Sequence, residues 1–169
     1  MKALLPSLCV LLCTLSCADE STAPAPGEPG AEVPAALFVE AAPPGAVGVS
    51  AARAAATVGA EVVLRGMIGG RGRPFGASTA TFVLVDPAIT ACPPDEGCRT
   101  PWDCCCFPRE QIAANSATVQ LVDAAGQVLA AGLDGRHGLA PQAEVVVAGT
   151  VRSIDGGLLV DAQRIHVRR

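Results

Sequence analysis

Val145-Val146-Val147-Ala148-Gly149-Thr150-Val151 is an apolar, largely β-branched run broken once by a glycine. It has an earlier counterpart in Val62-Val63-Leu64-Arg65-Gly66-Met67-Ile68. β-Branched side chains are stiff about χ1 and suit a pleated surface better than a helix, so both stretches read as strands. A glycine weakens a strand unless the backbone must bend or meet another backbone closely. Two strands with a glycine at the same relative place therefore predict two bends.

Outward from these runs, the pattern stays β. Thr79 to Val85 (TATFVLV) alternates polar and apolar until Asp86-Pro87 stops it. Ala117 to Val122 (ATVQLV) alternates likewise, and the turn Asp123-Ala124-Ala125-Gly126 leads on into Gln127-Val128-Leu129. Leu158 to Val167 follows the turn Ser153-Ile154-Asp155-Gly156-Gly157. Period-two alternation bounded by such breakers is a strand signal. Helix is expected only at Ala51 to Ala56 and over Pro108 to Asn115, where proline suits the first turn. The fold class is all-β.

The paired glycine-bearing runs resemble the V-x-V-x-G-x-V pattern common in the first and fourth strands of the OB-fold. That resemblance covers residues 58–168 and implies a small five-stranded barrel that binds at its loops. The chain departs from the pattern twice. Residues 132–142 (GLDGRHGLAPQ) are too rich in Gly and Pro for the helix often found between strands three and four. A long excursion from Pro87 to Asn115 is inserted between strands two and three. A small β-sandwich is the alternative the same alternation allows.

The excursion holds five cysteines, Cys92, Cys98, Cys104, Cys105 and Cys106, in the run CPPDEGCRTPWDCCC. Three chemistries suit them. An insertion of this length needs restraint, and a disulfide closing such a loop contributes roughly 3 kcal/mol. Five cysteines allow at most two bridges, in fifteen arrangements that leave a fifth thiol over; Cys92 and Cys98 would each pair with one of Cys104 to Cys106. The alternative is thiolate binding of zinc or copper(I), although the spacing is not that of paired C-x2-C knuckles. In an extended chain Cys104 and Cys106 would share a centre while Cys105 faces away. Thiol redox chemistry is the third, without a C-x-x-C motif. No cofactor is otherwise expected.

Residues 1–17 read as a signal peptide: Lys2 precedes an apolar run too short for a bilayer core of about 30 Å. Thr14-Leu15-Ser16-Cys17 resembles the bacterial lipobox, which implies lipidation of Cys17 and a membrane anchor. Cleavage after Ala18 is the alternative. The first reading places the protein in the outer membrane, facing the periplasm or the cell surface; the second makes it soluble periplasmic or secreted. In either case the cysteines meet an oxidising compartment. Residues 18–45 carry six prolines and five acids and read as a disordered tether. Within it, the patch Ala35 to Val39 is a possible docking segment. Residues 46–169 form the barrel domain.

Composition excludes several roles. Residues 59–169 carry ten Arg against eleven acids, with no net attraction for polyanions, and the whole chain has one Trp, four Phe and no Tyr. Single-strand nucleic-acid binders need a positive groove with aromatic platforms, so nucleic acid is not an expected partner. There is no G-x-S-x-G elbow and no carboxylate pair placed for acid–base work, so no catalytic residues are assigned. The loop of residues 69–76 lacks a P-loop ending. Its Arg71, Arg73 and Phe75, with Trp102, form the expected ligand edge. The sequence thus predicts a non-catalytic binding or envelope-scaffold module for a protein or small ligand, with a disulfide-stapled loop. Metal binding or thiol redox at the cysteines is the alternative.

Overall fold

The computed structural model describes residues 31–168; the expected signal peptide of residues 1–17, with its Cys17, and residues 18–30 lie outside the described residues. Six strands form in chain order: β1 (Val47–Gly48), β2 (Glu61–Ile68), β3 (Thr81–Val85), β4 (Ser116–Gln120), β5 (Glu144–Ser153) and β6 (Leu158–Val167). Two short helices, α1 (Val49–Ala55) and α2 (Arg109–Ala114), fall where the sequence predicts them.

The sheet runs β1-β2-β3-β4-β6-β5, and β2 also pairs with β5, which closes β2 to β6 into a ring. The β4–β6 pair is parallel, with Ala117 opposite Leu158, while the other pairs in the ring are antiparallel. This is a closed five-stranded mixed barrel, compatible with the OB-like expectation, and the two-residue β1 adds to the outside of β2. The β-sandwich alternative is overturned. A sandwich keeps two sheets with free edges, whereas here Glu61 to Met67 pair with Thr150 to Glu144 and leave none at that seam.

The two glycines account for the closure. A Cβ on Gly66 would collide with the Val85 carbonyl oxygen, and one on Gly149 with the Asp161 carbonyl oxygen. The β5–β6 register shifts at Ala148/Gly149, where the strand bends from one neighbour to the next. A small barrel turns its strands through large angles, so backbones meet where they bend and a side chain has no room there. Inside, Leu64, Ile68, Phe82, Leu84, Val119, Val147, Val160 and Ile165 are almost wholly buried. Leu133 and Leu139 from the helix-free 132–142 segment join them, as do Val49 and Ala52 of α1.

Packing on this domain begins before residue 46. Val33 is buried in the core, and Leu37 and Phe38 pack against it. Phe38 bridges Ile165 in parallel, the Val39 amide donates to the Ile165 carbonyl at 2.9 Å, and the Phe38 ring stacks on His137 at 4.0 Å. The Ala35 to Val39 patch is therefore docked along β6, and residues 31–45 form part of the folded body.

A polar brace joins α1 to the end of β3. The Asp86 carboxylate is nearly buried and accepts from the Ser50 amide at 2.9 Å, the Ser50 hydroxyl at 3.0 Å and the Ala88 amide at 2.9 Å. Burial pushes its pKa up, but these donors and the charge of Arg65 outweigh burial and hold it below the usual carboxylate value. Asp161 sits within β6, where it pairs with Arg152 at 2.9 Å and accepts from Gln120 at 2.7 Å.

Candidate functional site

The cysteine excursion lies between β3 and β4, the second and third strands of the barrel ring. It is organised by a turn over Pro101–Asp103. Thr100 Oγ1 donates to Asp103 at 2.8 Å, and the Cys105 amide donates to the other Asp103 oxygen at 2.9 Å. The Thr100 hydrogen bond is the main reason the Asp103 carboxyl lies below its ordinary value. Cys104 caps this turn in the left-handed conformation, with φ of 58°. Non-glycine residues rarely adopt that conformation, and it breaks the alternation of an extended chain.

The consequence reverses the expected sidedness. Cys104, not Cys105, faces away from the other thiols. It is fully buried among Val85, Ile89 and Ile112, with its Sγ 3.4 Å from the Trp102 carbonyl. Burial pushes its thiol pKa up. The remaining four sulfurs meet on the outer side of the loop: Cys92 to Cys106 at 3.1 Å, Cys92 to Cys105 at 3.4 Å, and Cys98 to Cys105 at 3.6 Å. Cys92 is buried, Cys98 half-buried, and Cys105 and Cys106 exposed. All five are unbridged at these separations, since bonded sulfurs stand about 2.05 Å apart.

Cys92 is the hub of the group. The Cys106 thiol donates to it, and further hydrogen bonds from Cys105 and Cys98 help hold Cys92 below the ordinary thiol value. The same sharing of charge pushes Cys98, chiefly through Cys105, and Cys106, chiefly through Cys92, up to about 12. The sulfurs of Cys92, Cys98 and Cys105 all lie within 4.8 Å of one another, close enough to take one metal ion.

The two loops singled out in the sequence are joined. The Gly70 amide donates to the Trp102 carbonyl at 2.7 Å, and Trp102 Nε1 donates to the Gly72 carbonyl at 3.2 Å. A Cβ on Gly69 would also run close to the Trp102 carbonyl, so that approach depends on glycine. Beside this junction opens a groove of about 650 Å³. Gly70 and Arg71 form one wall, Asp103, Cys105 and Phe107 another, Arg109 of α2 a third, and the Gly156-Gly157 turn closes it.

The predicted ligand edge divides between two faces. Arg71 reaches the groove, whereas Arg73, Phe75 and Trp102 border a separate hollow with Asp134 and Arg136. Phe75 also serves the core: it bridges Phe82, and their rings lie 6.3 Å apart. Sequence reasoning missed Arg109. It was legible only as the first residue of a short helix, and no local signal aims it at the 69–76 loop. Among the described residues the ion pairs are Arg152–Asp161 and Arg168–Glu144, so Arg71 and Arg109 carry charge with no carboxylate partner. No protein-family model matches this chain, and no curated protein matches its sequence.

Proposed function

We propose that this protein is an exported, lipid-anchored, non-catalytic binding module that holds a small anionic ligand in the groove walled by its cysteine loop. The observation that carries the reading is the convergence of the two candidate loops through the Gly70–Trp102 and Trp102–Gly72 hydrogen bonds. They form one cleft with two guanidinium groups, Arg71 and Arg109, that have no carboxylate partner among the described residues, and with one lining carboxylate, Asp103. Its volume lies within the roughly 300–1,000 Å³ usual for small-molecule sites. Guanidinium groups bind carboxylate or phosphate through charge-assisted hydrogen bonds.

The test is a binding titration of the mature protein against a panel of small carboxylates and sugar phosphates. Each hydrogen bond to a charged group is worth about 1.5–3 kcal/mol, so Arg71→Ala and Arg109→Ala should each weaken the best binder about tenfold or more. Arg164→Ala, outside the groove, should leave it unchanged. Equal affinity across all three variants would refute the groove.

The anchor rests on Thr14-Leu15-Ser16-Cys17 and its resemblance to the lipobox. Cys17→Ser is expected to block lipid attachment and move the protein from the membrane to the soluble fraction. Unchanged membrane association and precursor processing would remove the anchor from the proposal.

In this reading export also oxidises the cysteine loop, and the resulting bridges fix the groove wall. A second reading, binding of zinc or copper(I), is favoured by the triangle of Cys92, Cys98 and Cys105. Two sulfurs ligating one tetrahedral zinc at about 2.3 Å stand about 3.8 Å apart, close to the observed 3.4 and 3.6 Å. Stoichiometric metal in protein isolated from its native compartment without chelators would establish it.

A further inference from the structure

We infer that the mature protein carries two nested disulfides, Cys92–Cys106 and Cys98–Cys105, and keeps Cys104 as a buried, reduced thiol. The pairing rests on the stapled-loop reading above and goes beyond it by selecting one of the fifteen arrangements open in the sequence.

The selection follows from position. Cys104 is removed first: its left-handed backbone turns the side chain into the pocket of Val85, Ile89 and Ile112, away from the other sulfurs. Four thiols then allow three pairings. Joining Cys92 to Cys98 leaves Cys105 to bridge its own chain neighbour, Cys106. That ring is strained, because adjacent Cβ atoms of an ordinary backbone point apart. Joining Cys92 to Cys105, at 3.4 Å, leaves Cys98 with Cys106, which share no sulfur contact. The third pairing joins partners that already touch in both bridges, at 3.1 Å for Cys92–Cys106 and 3.6 Å for Cys98–Cys105.

The chemistry balances with a disulfide-carrying oxidant of the export compartment. The exposed Cys106 attacks one sulfur of that oxidant and gives up its proton to the leaving sulfur; the oxidant's S–S bond breaks and its first thiol leaves. Cys92, whose sulfur lies 3.1 Å from that of Cys106, then attacks Cys106 Sγ in the mixed disulfide and expels the second thiol. Two protein thiols become one disulfide, and the oxidant leaves as two thiols carrying the two electrons and two protons. Cys105 and Cys98 follow the same course. The Cys92–Cys106 bridge has one buried end, whereas Cys98–Cys105 joins a half-buried sulfur to an exposed one on the groove wall, so reductant reaches Cys98–Cys105 first.

The experiment uses full-length protein isolated without reductant, denatured in acid, alkylated, then partially reduced and alkylated again with a second mass tag. The first tag should fall on Cys104 alone, and the second should appear on Cys98 and Cys105 together before Cys92 and Cys106. As an independent check, Cys98→Ser should free Cys105 for alkylation, and Cys92→Ser should free Cys106. Two bridges with any other partners, or a single bridge with three cysteines taking the first tag, overturn the pairing but leave the stapled loop standing. The first tag on all five cysteines, with or without bound zinc or copper in the isolated protein, overturns the pairing and the stapled loop together.

Discussion

Gly66→Ala and Gly149→Ala are each expected to destabilise the barrel by about 3 kcal/mol or more, at or beyond the upper end of ordinary overpacking. In both cases the new methyl group meets a carbonyl oxygen of the neighbouring strand, of Val85 or of Asp161. A backbone carbonyl in a ladder cannot rotate away as a side chain can. The strands must separate, and the hydrogen bonds that close the ring separate with them. Against a total stability of about 5–15 kcal/mol, the double variant should be largely unfolded. Gly72→Ala is the control, because a Cβ there meets nothing within 4 Å. Urea midpoints followed by circular dichroism measure all four proteins. A Gly66→Ala or Gly149→Ala barrel as stable as Gly72→Ala would mean that close strand approach is not what these glycines serve.

Asp86→Ala should be nearly as costly, at about 3 kcal/mol. It removes the acceptor of two part-buried hydrogen bonds, from the Ser50 and Ala88 amides, and a hydrogen bond to a charged group contributes about 1.5–3 kcal/mol. The acid dependence has a definite sign. The folded pKa of Asp86 is depressed, so its contribution is fully present above the unfolded value of about 3.9. It is lost as pH falls below that value and through the folded one. Wild type and Asp86→Ala should therefore differ most at neutral pH, and their midpoints should converge below pH 3.9. A gap that stays constant from pH 7 to pH 2 would show that the carboxylate charge plays no part in the brace.

The barrel was largely legible because its signals are local. Alternation in TATFVLV and ATVQLV marks strands whatever they pair with, and the glycines at 66 and 149 mark bends before any partner is known. What remained open was which strand lies across from β2, since alternation carries no information about the neighbour. Hence barrel and sandwich looked alike. Val33 and Phe38 were hidden by their proline-rich surroundings, which by composition resemble a solvated tether. Phe38 rests on β6, more than a hundred residues away in the chain.

The site was legible in its residue types and not in its geometry. Five cysteines announce thiol chemistry, but which of them stand together is decided at Cys104. The Thr100–Asp103 turn forces a left-handed residue there, and extended-chain reasoning then gives the wrong side. Likewise Arg71 and Arg109 meet only because Trp102 ties the 69–76 loop to the insertion. Neither segment carries a local mark of the other.

The seam between β2 and β5 also sets when this chain can fold. Glu61 pairs with Thr150 and Met67 with Glu144, and β4 waits for β6 to supply its parallel neighbour. Contacts between residues so far apart incur their loop-closure cost before any return, which makes such topologies slow to form. A chain emerging N-terminus first holds β2, β3 and β4 without either strand that completes them. Under the proposed export, this delay would keep the polypeptide threadable until its last strands follow.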